Sequence, residues 1–312
     1  MTSKSFFQTM TDRTEICVNR WLPEDDPKAV IVIVHGMAEH SLRYDRTASF
    51  FVDAGFAVSA HDQRGHGKTA QKQVEKGEVG FGYLSNKNGH KKIVEDLHEI
   101  VCQVKNEFPG KKVFVLGHSW GSFVSQSYIE NYGNEIDGCL LLGTRGPNAL
   151  EAKGGLILAD LLYLFGQKKR TSYLLGSIAF NGYLSRIKDS RTEYDWLSKD
   201  KAVVDMYMND DWCGFSMTTG FYHELFKLFI SMHKMSNIKK IPVDLPVFIA
   251  AGKEDPVGAY GKTVTKLNEI YKAHGIKDLS FKLYENDRHE ILNETDSDEV
   301  MKEIISWITN HL

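Results

Sequence analysis

The run Val30-Ile31-Val32-Ile33-Val34 carries an apolar β-branched side chain at every position, so both faces of any strand it forms need cover. Such a strand belongs inside a parallel sheet with helices on both sides. Comparable runs recur in "KKVFVLGHS", "IDGCLLLGT" and "LPVFIAAG". Between them lie helical spacings: "YDRTASFFVDAG" with its terminal Gly55, "NGHKKIVEDLHEIVCQVKNEFPG" stopped by Pro109-Gly110, and "FVSQSYIENYG" ending at Gly133. "FAVSAHDQRGHG" adds a strand and a glycine-rich turn, and "TEICVNRWLP" reads as an outer strand. This alternation implies a doubly wound, mostly parallel α/β sheet.

The rhythm breaks near Arg145. As far as Lys240 there is no clean β run, and aromatic and apolar helical patterns such as "GGLILADLLYLFG" and "TTGFYHELFKLFISMHKM" take over. That is far longer than an ordinary connection. The expected organisation is a core of residues 1–144 and 242–312, interrupted by a helical cap over 145–241. The chain closes with "LSFKLYENDRHE", a strand and loop, and "SDEVMKEIISWITNHL", a helix.

Charge narrows the partners. With 38 Lys and Arg against 41 Asp and Glu, the formal net charge is −3, which leaves no basic footprint for nucleic acid. Cys17, Cys102, Cys139 and Cys213 are widely spaced and form no C-x-x-C pair, so all four read as reduced thiols. The first residues carry no signal-peptide pattern, and no run approaches the roughly 18 apolar residues of a membrane span. A cytoplasmic protein is the expectation.

Function concentrates at Gly117-His118-Ser119-Trp120-Gly121, where a β run meets a helical pattern. A G-x-S-x-G sequence in that context is a nucleophile elbow: the small residues let the chain turn sharply and project the serine hydroxyl toward a helix N-terminus. A serine needs a base, and the base needs a group that fixes its tautomer. In folds built around this elbow the acid and the histidine follow in that order after late strands. "VFIAAGKEDPV" offers Asp255, with Glu254 as a neighbouring competitor; "YENDRHEIL" offers His289, with Asp287 as a further acid. Pro256 fixes a turn that can aim Asp255, which by itself could also be an Asx turn. The backbone N–H of Trp120 is one oxyanion donor, and "IVIVHGMAEHS" places Met37 as the second. His35, His61, His66 and His118 read as packing or hydrogen-bonding groups. The spacings His35/His40 and His61/His66 do not suit a zinc site, so neither a metal nor a cofactor is expected.

Five stretches, "VHGMAEHSLRY", "HDQRGHGKT", "GHSWGS", "AGKEDPV" and "ENDRHEIL", together resemble the monoacylglycerol lipase and lysophospholipase family, grouped with serine aminopeptidase-like α/β-hydrolases. The resemblance spans residues roughly 14–144 and 242–312, and "WLSKDKAVVDMYMNDDWCGF" is more loosely similar to the lid of bacterial members. It implies an α/β-hydrolase fold, a Ser119–His289–Asp255 triad, and oxyanion donation from Met37 and Trp120. It also implies a small-molecule ester substrate of the acyl-lipid type, such as monoacylglycerol or lysophospholipid. Trp120 and Ser122 depart from the family's Met or Leu and Gly; the indole would narrow the acyl pocket, and Ser122 is small enough to pack. Asp62 and Arg64 are expected to pair as a structural ion pair. The apolar cap segment "LILADLLYLF" is expected to form cap core, line an acyl channel or touch a membrane surface. A peptide hydrolase is the alternative, needing cap carboxylates among Glu193, Asp195, Asp205, Asp210 and Asp211 to converge on a substrate amine. A non-catalytic binding protein would be expected to lack a triad member.

Overall fold

The computed structural model describes all 312 residues. Eight strands form one sheet: β1 Thr2–Thr9, β2 Glu15–Leu22, β3 Val30–Val34, β4 Ala57–His61, β5 Val113–His118, β6 Gly138–Leu142, β7 Val247–Gly252 and β8 Leu279–Tyr284. Their order is β1-β2-β4-β3-β5-β6-β7-β8; β2 pairs antiparallel with both β1 and β4, and every other pairing is parallel. The helices of the first half are α1 Asp45–Asp53, α2 Gly67–Glu75, α3 Gly89–Glu107 and α4 Trp120–Tyr132. Between β6 and β7 come α5 Ala149–Leu164, α6 Tyr173–Ala179, α7 Lys201–Met208, α8 Thr219–Met232 and α9 Met235–Ile238; α10 Lys262–His274 and α11 Ser297–Thr309 follow. The chain is an α/β-hydrolase fold.

Both faces of the sheet are buried, as the β-branched runs require. Val30, Val32 and Val34 join the cluster that includes Ile93, Val124 and Leu267 from α3, α4 and α10. Ile31 and Ile33 join the opposite cluster with Phe51 of α1 and Ile304 of α11. The strand period of two therefore feeds two cores at once. No helix is long and apolar enough to cross a membrane.

Two sequence expectations change. "TEICVNRWLP" contains β2, which is not the outermost strand: β1 pairs along its whole length from Thr2↔Leu22 to Thr9↔Glu15. The run "TSKSFFQT" is mostly exposed and shows too little apolar alternation to announce a strand. Arg64 does not pair with Asp62. The turn after β4 points the two side chains apart, so Arg64 meets Asp96 at 2.5 and 2.7 Å and Asp12 at 2.9 Å. Asp62 accepts the N–H groups of Ser41 at 2.9 Å and Lys68 at 2.8 Å. It braces the turn itself.

The order also places the site. The chain leaves β3 toward β4 on one side, and β5 then pairs on the other, so the loops after β3 and β5 diverge from adjacent strand ends. A crevice forms at such a switch point.

Candidate active site

Ser119 sits at that crevice, directly between β5 and α4, with φ 52° and ψ −120°. A non-glycine residue held there stores strain on the order of 1–3 kcal/mol, which the surrounding packing must enforce. The glycines explain how. A Cβ on Gly121 would lie 1.9 Å from the Val34 carbonyl oxygen, and one on Gly117 would lie 2.4 Å from Ser125 Oγ and 2.5 Å from the Gly121 carbonyl oxygen. The Ser119 N–H donates to Leu142 O at 3.0 Å, tying the elbow to β6. Its carbonyl accepts from the Ser122 N–H at 2.9 Å and the Ser122 hydroxyl at 2.6 Å. Ser122 thus fastens the turn in addition to filling space.

Asp255 and His289, 34 residues apart in the chain, meet in the fold: His289 Nδ1 lies 2.9 Å from Asp255 Oδ2 and both side chains are buried. The other Asp255 oxygen accepts from the Val257 N–H at 2.8 Å. The turn contact and the contact with His289 thus use one carboxylate oxygen each. Glu254 is exposed. Asp287 is buried beside Lys199 at 3.2 Å, and burial, with Asp296 and Glu294 nearby, pushes its carboxyl up to about 6. Neither competitor hydrogen-bonds His289.

Met37, Ser119, Trp120 and His289 line one cavity of about 530 Å³, with 20 of its 32 lining residues hydrophobic. Trp120 opens α4, so its N–H has no intrahelical acceptor, and the Met37 N–H makes no backbone hydrogen bond. The Trp120 indole is buried against Phe221 at 5.0 Å between ring centres. Apolar side chains from the β6–β7 segment, among them Phe226, Phe229 and Trp196, complete the wall.

A buried charge network behind these residues was not singled out in the sequence. Arg43 makes a two-pronged contact with Glu290 at 2.8 and 2.9 Å and also meets Glu39. Glu39 in turn accepts from the Gly36 N–H and from the Tyr44 hydroxyl at 3.0 Å. His118 lies between Glu39, at 3.7 Å, and the His289 carbonyl oxygen, at 3.2 Å from Nε2. Burial would lower the His118 pKa, but the Glu39 carboxylate outweighs it and the pKa is raised. For Glu39 and Glu290 burial pushes upward, yet Arg43 holds both carboxyls below their ordinary range. His35, His61 and His66 are buried, and desolvation lowers all three, the last two to about 3. They stay neutral, and His35 accepts the Gln63 N–H at 3.0 Å.

The segment between β6 and β7 touches this machinery directly. Glu290 N–H donates to Leu197 O at 2.8 Å, Gly214 N–H to Ala38 O at 2.9 Å, and the Tyr207 hydroxyl to the same Ala38 oxygen at 2.8 Å. His40 Nε2 meets Asp210 at 2.8 Å.

Known proteins decide the family. The profile of the serine aminopeptidase family, S33, matches residues 25–296. The chain belongs to that family. A monoacylglycerol lipase of Mycolicibacterium smegmatis is 27% identical over 94% of this hydrolase and 92% of the relative. The human monoglyceride lipase is 25% identical over 93% of this chain and 85% of its own. Among solved structures, a thermostable carboxyl esterase from Bacillus coagulans in complex with glycerol superposes with a TM-score of 0.88 at 29% identity, covering 99% of both chains. This hydrolase is a carboxylic ester hydrolase.

Proposed function

We propose that the hydrolase cleaves lipid-like carboxylic monoesters, monoacylglycerol or lysophospholipid, through a Ser119–His289–Asp255 triad. The observation that carries the reading is the placement of a strained Ser119 and of His289, backed by the buried Asp255, on the wall of one largely apolar cavity. Asp255 holds the His289 Nδ1–H, which leaves Nε2 as the base that takes the Ser119 proton during attack on the ester carbonyl. The Met37 and Trp120 N–H groups stabilise the oxyanion. Protonated His289 then donates to the leaving alcohol, and water repeats the steps on the acyl-enzyme.

The cavity suits an acyl chain, since apolar surface removed from water contributes about 25 cal/mol per Å². The relatives named above are lipases of monoacylglycerols, which supports the same substrate class here. Residues 145–241 act as a cap on the core of 1–144 and 242–312. A face of α5 that includes Ile157, Leu161 and Leu164 is exposed, as is Tyr173 at the cavity wall, and this apolar rim meets the membrane surface that holds the substrate. The four free thiols suit a cytoplasmic protein.

The peptidase alternative has one point in its favour, Glu193 on the cavity wall. The other cap carboxylates are committed elsewhere or stand apart: Asp195 to the Arg191 N–H and Thr192, Asp205 to Arg191, Asp210 to His40, and Asp211 in a separate surface pocket. A panel of p-nitrophenyl acyl esters against aminoacyl-nitroanilides separates the readings. Turnover of the esters is expected, with preference for acyl chains over acetate. Turnover of the anilides alone would overturn the proposal.

A further inference from the structure

At the end of α4 remote from Ser119, three side chains of metal-binding type converge. His98 and Cys102 stand one turn apart on α3, and Glu135 comes from the short turn that follows α4. His98 Nδ1 lies 3.3 Å from Glu135 Oε2, Cys102 Sγ lies 3.9 Å from the same nitrogen, and all three ligand atoms fall within 4.8 Å of one another. Bond lengths of about 2.0 Å to nitrogen and oxygen and about 2.3 Å to sulfur put the ligand atoms of a tetrahedral zinc about 3.3–3.6 Å apart. The two edges at His98 need adjustments of only a few tenths of an ångström, and the Cys102–Glu135 edge, within 4.8 Å, closes by about 1.2 Å at most.

We propose that His98, Cys102 and Glu135 form a surface site for a zinc-type divalent ion. The donor set mixes imidazole, thiolate and carboxylate, which suits zinc and excludes calcium and magnesium. The site is also supported from behind: the His98 ring stacks on Tyr132, centroids 3.9 Å apart and planes 9° apart, and the Tyr132 hydroxyl donates to Glu95 at 2.7 Å. That stacking fixes the plane of the imidazole, the kind of outer support that orients a ligand ring. His98 is 24% and Glu135 37% exposed, so an ion can enter and keep a water in the fourth position. As the zinc–sulfur bond forms, the Cys102 proton leaves to solvent. The ion then clamps the middle of α3 to the far end of α4. Thirteen residues of α4 separate this end from the nucleophile, about 20 Å along the helix. Ester turnover is therefore unaffected and the gain is in stability.

Cobalt(II) titration into the purified, reduced protein, followed by zinc competition, tests the site. One equivalent of cobalt should give a thiolate charge-transfer band that zinc abolishes. Zinc at about a hundred times its dissociation constant should raise Tm by about 5 °C. Cys102→Ser should remove the band, and His98→Gln and Glu135→Gln should each weaken binding at least about tenfold. All three variants should keep the wild-type Tm without metal, because the side chains are only partly buried. A second cluster, His40, Asp210 and Cys213, provides the contrast. If the band is absent, persists in Cys102→Ser, or disappears only in Cys213→Ser, the proposal is wrong.

Discussion

Single residues carry both the legible and the hidden parts of this protein. Gly117, Ser119 and Gly121 could be read from sequence because a sharp strand-to-helix turn excludes Cβ atoms, and the fold shows the carbonyl and hydroxyl oxygens that such atoms would strike. Asp255 and His289 were legible through their positions after late strands. Glu39, Arg43 and Glu290 were not, because nothing local says that a loop near residue 40 meets one near 290. Glu130 was hidden for the same reason. It lies buried on α4 with neither carboxylate oxygen hydrogen-bonded, and burial pushes its pKa up from 4.5 to about 9. A carboxyl whose pKa is raised on folding contributes stability that is fully present below 4.5 and lost as pH rises toward 9. Glu130→Gln should therefore match the wild type near pH 4.5 and exceed it at pH 8 by a few kcal/mol, on the order expected for a several-unit shift discounted for relaxation. Urea unfolding at the two pH values measures it; an equal or lower stability of the variant at pH 8 would refute the assignment.

At the scale of elements, the runs with the clearest periodicity were placed correctly: β3, β5, β6 and β7 as buried strands, α1, α3 and α4 as helices. β1 was missed because it is an exposed edge, and α2 because "GKTAQKQVE" carries only Ala70 and Val74 as apolar residues; α10 went unread although Val264, Leu267 and Tyr271 repeat at helical spacing. α5 is the most informative helix. Its sequence is apolar nearly all round, which suits a buried or lipid-facing helix. One face packs through Ala152 and Ala159, and the face with Ile157, Leu161 and Leu164 remains open. Of the expected roles for "LILADLLYLF", cap core accounts for the first face only. Leu161→Glu with Leu164→Glu should leave turnover of a soluble p-nitrophenyl butyrate within about twofold of wild type and reduce turnover of monoacylglycerol in phosphatidylcholine vesicles about tenfold or more, since each apolar side chain withdrawn from lipid costs about 1.5–3 kcal/mol. Equal loss on both substrates would mean that α5 acts through the fold and not through a surface.

Across the whole molecule, the buried network of Arg43 with Glu39 and Glu290 joins the loop after β3 to the loop after β8, and Arg43 also stacks at 4.8 Å on Tyr207 of α7. The two loops and the segment between β6 and β7 are thus held by one guanidinium. Removing one partner of a buried ion pair costs about 3–5 kcal/mol. Arg43→Met should lose that much in urea unfolding at pH 7 and lose ester turnover with it, whereas an exposed pair such as Lys277–Asp244 should contribute under about 1 kcal/mol. The central claim is that this architecture exists to present Ser119 to an acyl ester. Fluorophosphonate labelling and monoacylglycerol turnover, measured together on wild type and Ser119→Ala, test it most directly. The wild type should label with one equivalent and turn over, and the folded variant should do neither, with turnover reduced roughly 10⁴-fold or more. Labelling or substantial turnover that persists in Ser119→Ala would contradict the account.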